Sequence, residues 1–188
     1  MENKKYEILE DDFIIHNGRK LYRIRALKPI FADSKFNIRR IRQGELGGYV
    51  ERYCNLSQEG SCWICDGAKV YENARVEGDA IVSAAAEIFG NAVVKDEALV
   101  GNNAKVYGNA VVEHSARIRW SAEVYGNAMV KINSRVDGHA KVFGNAVIFS
   151  NVTVRGDAKI YNNVVVRGFS EVNDSAEVSN NAVIKFKE

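Results

Sequence analysis

The sequence predicts an all-β protein: a triangular coil of about seven turns of short parallel strands, with a β-hairpin cap module at its N-terminus. Three observations predict it. Every sixth residue from Ile64 to Ile184 is Val or Ile, without exception or insertion. Two residues before each stands a small residue, mostly Ala, as at Ala68, Ala74 and Ala80, with Cys62, Ser134, Val152, Val164 and Ser170 as variants. An unbroken column of asparagines recurs every eighteenth residue, from Asn73 through Asn91, Asn109, Asn127, Asn145 and Asn163 to Asn181. Two inward side chains separated by one outward one make a short strand. The Gly, Asn and Asp residues that often follow tolerate positive φ at a corner. Three hexads then close one turn, and the asparagines stack as an amide ladder.

Taken in chain order, the first element is a non-repetitive module, residues 1–60, preceding the coil at 61–188. Lys5–Leu9, Phe13–His16 and Lys20–Leu27 read as strands, and Asn17-Gly18 as a two-residue hairpin turn. Ala26–Arg42 reads as irregular and holds the single proline, Pro29. An open coil end exposes unpaired strand edges, so a cap is the first reading of this module. An oligomerising or partner-binding head is the alternative. Arg39-Arg40-Ile41-Arg42 reads as a solvated loop or as an anion contact.

The coil has three outer faces, and each outward position belongs to a column. The first face carries Lys69, Glu87, Lys105, Glu123, Lys141, Lys159 and Glu177, whose signs mostly alternate. Beside it runs an aromatic column: Tyr71, Phe89, Tyr107, Tyr125, Phe143 and Tyr161. Around the next corner, the second face carries Arg75 and then Val93, Val111, Met129, Val147, Val165 and Val183. The aromatic and aliphatic columns form an apolar edge. An edge of that extent reads as an oligomer interface, dimer or trimer, or as a ladder that stabilises the sheet alone.

The third face departs from this order. Arg117 and Arg135 are stacked neighbours of like charge, with Arg119 and Arg155 nearby and Asp137 expected to bridge them. Trp120 and His139 occupy the adjoining corner. A local cost without a local gain marks a candidate site. Arg117, Arg119, Trp120, Arg135, His139 and Arg155 are therefore the candidate partner-binding or anion-binding set. A solvated face is the alternative.

Composition narrows the function. Lys and Arg number 26 against 24 Asp and Glu, a formal net charge of +2. That excludes an acidic DNA mimic and a strongly basic nucleic-acid coat. No apolar run approaches the roughly 20 residues of a membrane helix, and the first residues lack a signal-peptide core. The expected location is cytoplasmic. Three cysteines are no disulfide framework. Cys62-x-x-Cys65 looks like a metal pair, but its members fall on opposite sides of the strand, and Cys54 would be only a third ligand. No metal and no cofactor are expected.

Three segments carry a family resemblance: Gly44-Glu45-Leu46-Gly47-Gly48-Tyr49-Val50-Glu51, Asn55 to Ile64, and the repeated Tyr-Gly-Asn-Ala units. Together they resemble the YdcK-like hexapeptide-repeat proteins of bacteria and phages. The resemblance implies a left-handed parallel β-helix and, because related hexapeptide proteins are commonly trimers, a homo-oligomer. It also implies two functions. One is non-catalytic binding from a rigid surface. Its phage-type form is an antagonist of host defence, anti-CRISPR-like or nucleotide-sequestering, that binds a host protein or a small anionic ligand. The other is an acyl-CoA-dependent acyltransferase, with His114 or His139 as general base. His16, beside the hairpin turn, is the third histidine. The uninterrupted coil, without the extruded loop that such enzymes use to build a site, favours binding.

Overall fold

In the computed structural model, residues 4–34, 37–181 and 183–185 are described. The coil forms as the hexads require. Its strands are two or three residues long, and each pairs in parallel with the strand eighteen residues away. Lys69–Val70 lies on Glu87–Ile88, Arg75–Val76 on Val93–Val94, and Ile81–Val82 on Leu99–Val100. Three sheets result, one per face. The inward Val/Ile column and the Ala column are fully buried over most of their length. At about 1.5–3 kcal/mol per buried aliphatic side chain, they dominate the driving force.

The corners repeat as strictly as the core. From Glu72 to Asn180, every sixth residue takes a left-handed φ, between 51° at Ile132 and 90° at Gly168. Most of these positions hold Gly, Asn or Asp. Glu72, Ala84, His114, Trp120, Ile132 and Ser150 do not, and a bulky residue there costs about 1–2 kcal/mol.

Side-chain ladders run along the outside. Each asparagine from Asn73 to Asn163 donates its amide to the next, at 2.7–3.1 Å. The six aromatics stack with ring centroids 4.8–5.2 Å apart and planes within 4°. On the first face Lys69 pairs with Glu87, Lys141 with Glu123 and Lys159 with Glu177.

The coil starts earlier than the hexad register indicates. Strand β1 (Tyr6–His16) and β2 (Arg19–Ala26) form an antiparallel hairpin, and β2 pairs antiparallel with β5 (Leu46–Val50). β5 then lies parallel on Lys69–Val70, and Leu56 bridges Val76. Val50 and Leu56 thus occupy inward coil positions, and the coil has about eight turns rather than seven. The hairpin extends the first face into a ten-stranded sheet. The segment expected to be irregular contains a second hairpin, β3 (Ile30–Ser34) against β4 (Asn37–Ile41). The side chain of Arg39, part of the suggested anion contact, lies outside the described residues.

Lys5 and the start of β1 close the coil end. Lys5 is 1% exposed, and its Nζ donates to the carbonyls of Glu59, Gly60 and Cys62 at 3.1, 3.4 and 3.1 Å. The Tyr6 hydroxyl lies 2.8 Å from the Leu56 carbonyl and 2.9 Å from that of Tyr53. On the third face Trp63 and Ile81 point outward yet are buried, in one cluster with Ile30 and Ile41 of the second hairpin. The N-terminal module therefore covers the first turns of that face and leaves the later turns open. Among the described residues, no helix is long and apolar enough to cross a membrane.

Candidate binding face

The open part of the third face begins at Leu99 and runs through Arg117, Arg135, Thr153 and Glu171, in strict register. The register places Arg117 directly beside Arg135. In a parallel sheet that neighbour is fixed by the backbone, so the two guanidiniums cannot separate by strand slippage. Burial lowers the Arg117 pKa, and the nearby charges of Arg135 and Arg119 push it the same way. Arg117 is half-buried and Arg135 exposed.

Asp137 acts on Arg117 as well, raising its pKa against the two arginines. Arg119 donates two hydrogen bonds to Asp137, from Nε at 3.0 Å and Nη2 at 2.7 Å. A bidentate pair is strong and directional, and here it raises the Arg119 pKa. Asp137 does not bridge to Arg155 as the sequence suggested. Both of its oxygens face Arg119, and Arg155 pairs with Glu171 instead.

Trp120 follows Arg119 at the corner. It is 58% exposed with φ 61°, and its backbone N–H is held by Asn102 Oδ1 at 3.3 Å. Burial of the indole does not offset the conformational cost, because the ring is mostly in solvent. His139 stands one turn further on, exposed, at the rim of a groove of about 370 Å³. Asn103, Lys105, Ser121, Glu123 and Lys141 complete that groove, which opens onto the first face.

The two candidate bases do not meet. His139 is at the corner between the third and first faces. His114 is at the corner between the second and third, where its Nδ1 lies 3.6 Å from Glu113 and 3.8 Å from Asp96. Asp96, Glu113 and His114 offer ligand atoms within 4.8 Å of one another, a geometry a metal ion could use. Lys95 at 3.0 Å and Lys131 at 3.8 Å already neutralise Glu113, however. Cys62 and Cys65 are both buried, with Cys54 exposed, and none of the three is in a disulfide.

The apolar edge is present as two columns. Phe89, Tyr107, Tyr125, Phe143 and Tyr161 are half-buried by their own stacking, as are Val93, Val111, Met129, Val147 and Val165 on the second face. The role of Lys5 was not visible in the sequence, where it reads as the first residue of a strand. No residue-type signal marks it.

A family model described as the YdcK β-solenoid repeat matches residues 104–119. The matched segment holds Tyr107-Gly108-Asn109-Ala110 and ends on Arg119, within the stacked coil. The match and the coil are consistent with a YdcK-like repeat protein. No curated protein matches the chain.

Proposed function

We propose that the chain is a non-catalytic binding protein that holds an anionic partner on the open part of its third face. One observation carries the reading: a single turn of the coil accepts two local costs side by side. Arg117 is registered against Arg135, and Trp120 takes a left-handed φ while 58% exposed. Elsewhere the outer columns mostly alternate charge or stack apolar groups, the like-charged neighbours Lys141 and Lys159 each having a glutamate partner, Glu123 and Glu177, and most corners use residues that tolerate the turn. Two guanidiniums with an exposed indole suit a ligand that brings negative charge and a flat or apolar group. The partner is a host protein with an acidic surface or a small anionic ligand. The resemblance to proteins of bacteria and phages supports one concrete form, antagonism of a host defence system by sequestration.

The test is direct. A ligand that binds the folded state raises the melting temperature by mass action. Purified protein is titrated with a panel of mono- and cyclic dinucleotides and with an acidic peptide, and melting is followed. A rise with one of them that is abolished by Arg117→Glu or Arg135→Glu supports the reading. A rise unaffected by either substitution places the site elsewhere. Coenzyme A included in the panel tests acyl transfer. Binding of it that His114→Ala or His139→Ala removes would favour the enzyme reading instead.

A further inference from the structure

The second face carries two parallel columns in strict register. One is Arg75, Val93, Val111, Met129, Val147 and Val165. The other, two residues on, is Glu77, Lys95, Glu113, Lys131, Phe149 and Arg167. The first column is aliphatic over five successive turns and half-buried within the chain. The second alternates in sign over its first four members. We infer that this face is a self-complementary surface on which a second copy docks antiparallel, with the two-fold axis lying along the strands between the Val111 and Met129 turns.

The orientation follows from symmetry. A two-fold axis along the coil would set the aliphatic column of one copy against the charged column of the other. A two-fold axis along the strands sets each column against itself, reversed. Aliphatic groups then meet aliphatic groups, and the order of the charged column decides the register.

That order selects one centre. With the axis between the Val111 and Met129 turns, Glu113, mostly covered by Lys95 and Lys131 of its own chain, faces Lys131 of the second copy, and Glu77 faces Arg167. Lys95 faces the Phe149 ring, an arrangement that attracts a cation. In the aliphatic column Val111 faces Met129 and Val93 faces Val147. Only Arg75 meets an unlike group, Val165, and its stem can lie along it while the guanidinium stays with Glu77, 3.3 Å away. Centring on the Val111 turn sets Lys95 against Lys131. Centring on Met129 sets Lys95 against Arg167 and Lys131 against itself. Centring between Val93 and Val111 is also complementary in charge but engages only four turns, against six here.

Arg167 has no ion pair among the described residues, so the dimer supplies the one it lacks. The footprint is six turns, about 29 Å at the strand spacing, and two columns wide. That lies at the small end of protein interfaces, so association is weak and concentration-dependent.

The test uses residues that cannot meet within one chain. Glu77 and Arg167 are five turns apart, about 24 Å. Sedimentation equilibrium is run up to about 100 μM, a range suited to weak association. The wild type is expected to shift from monomer to dimer. Glu77→Arg or Arg167→Glu alone is expected to weaken dimerisation at least about tenfold, and the two together to restore it. A wild type that stays monomeric, a trimer, or a double variant no better than the singles would each overturn the inference.

A second measurement protects against misfolded charge variants. Val93→Cys and Val147→Cys are placed together in a Cys54→Ala background. Facing sheets pack about 10 Å apart, so a bismaleimide of similar reach should link position 93 to position 147 of the second copy. Those positions are three turns apart in one chain, about 14 Å. Mass spectrometry of the linked dimer is expected to show the 93–147 peptide pair. A link found only between identical positions would overturn the register.

Discussion

Lys5 Nζ sits 3.1 Å from the carbonyl oxygen of Cys62 and 3.2 Å from its Sγ, buried at the end of the coil. The contact joins the residue just before β1 to the first small-residue position of the strict repeat, across 57 residues of sequence. It replaces, at the coil end, the strand hydrogen bonds that the next turn would otherwise supply.

Removing the lysine leaves carbonyls of Glu59, Gly60 and Cys62 without that donor. Lys5→Met should therefore cost about 2–4 kcal/mol in urea unfolding, the range for breaking a buried polar network. Burial holds the Lys5 pKa below its ordinary 10.5, with the Cys62 charge and hydrogen bond acting against it. The unfolded chain then binds more protons than the folded one between the lowered value and 10.5. The Lys5 contribution must rise with pH across that window and level off above it. The stability difference between wild type and Lys5→Met should grow from pH 7 to pH 10.5. A constant or shrinking difference would contradict the buried-lysine cap.

At the acid end the relevant group is Glu123. Burial alone would raise its carboxyl pKa, but hydrogen bonds from Lys141 at 2.9 Å and from the Tyr107 hydroxyl at 2.9 Å outweigh it and hold the pKa below the usual range. A depressed carboxyl stabilises the fold above the ordinary carboxylate pKa of 4.5 and loses that contribution as pH falls through the folded value. Tyr107→Phe keeps the ring in its stack and removes one of those bonds. Its melting temperature should fall below wild type at pH 6 and converge on it toward pH 3.

Ser134 occupies an Ala position inside the coil, fully buried, and its Oγ has no hydrogen-bond partner among the described residues. An unsatisfied buried hydroxyl costs about 1–3 kcal/mol, and its removal leaves the backbone register intact. Ser134→Ala should raise stability by about 1 kcal/mol, or roughly 2–4 °C in melting temperature for a chain of this length. An unchanged or lower melting point would mean the hydroxyl is satisfied in solution.

What was legible in the sequence follows from how strictly each feature repeats. The Val/Ile hexads and the Asn73–Asn181 column predicted faces, corners and neighbours residue by residue, because one backbone register governs them all. Val50 and Leu56 escaped because two extra residues between Leu56 and Ile64 break the period just where the coil begins. The β3–β4 hairpin escaped because Ala32-Asp33-Ser34 carries little strand propensity. The third face was half legible. The Arg117–Arg135 neighbourhood came from the period, but Asp137 stands between Arg119 and Arg155, and only side-chain geometry shows which of them takes both oxygens. Lys5 left no trace in the sequence, since its burial depends on a strand that folds back over the coil end.

Trp120 separates stability from function. Its corner imposes a left-handed φ of 61°, which Gly138 and Gly156 meet at the equivalent positions of the next two turns with φ 72° and 70°. Asn102, one turn earlier, meets it with φ 58°. Asparagine tolerates this region and keeps the backbone N–H that Asn102 Oδ1 accepts. Trp120→Asn removes a mostly exposed ring, so little burial is lost with it. The variant should be more stable than wild type by about 1 kcal/mol. If the indole is there for a partner, the same variant should lose the ligand-induced rise in melting temperature that Arg117→Glu also removes. A variant that gains stability and keeps full binding would show that the partner does not use the indole. One that loses stability would show that the ring packs at the corner, and the argument from its cost would fall.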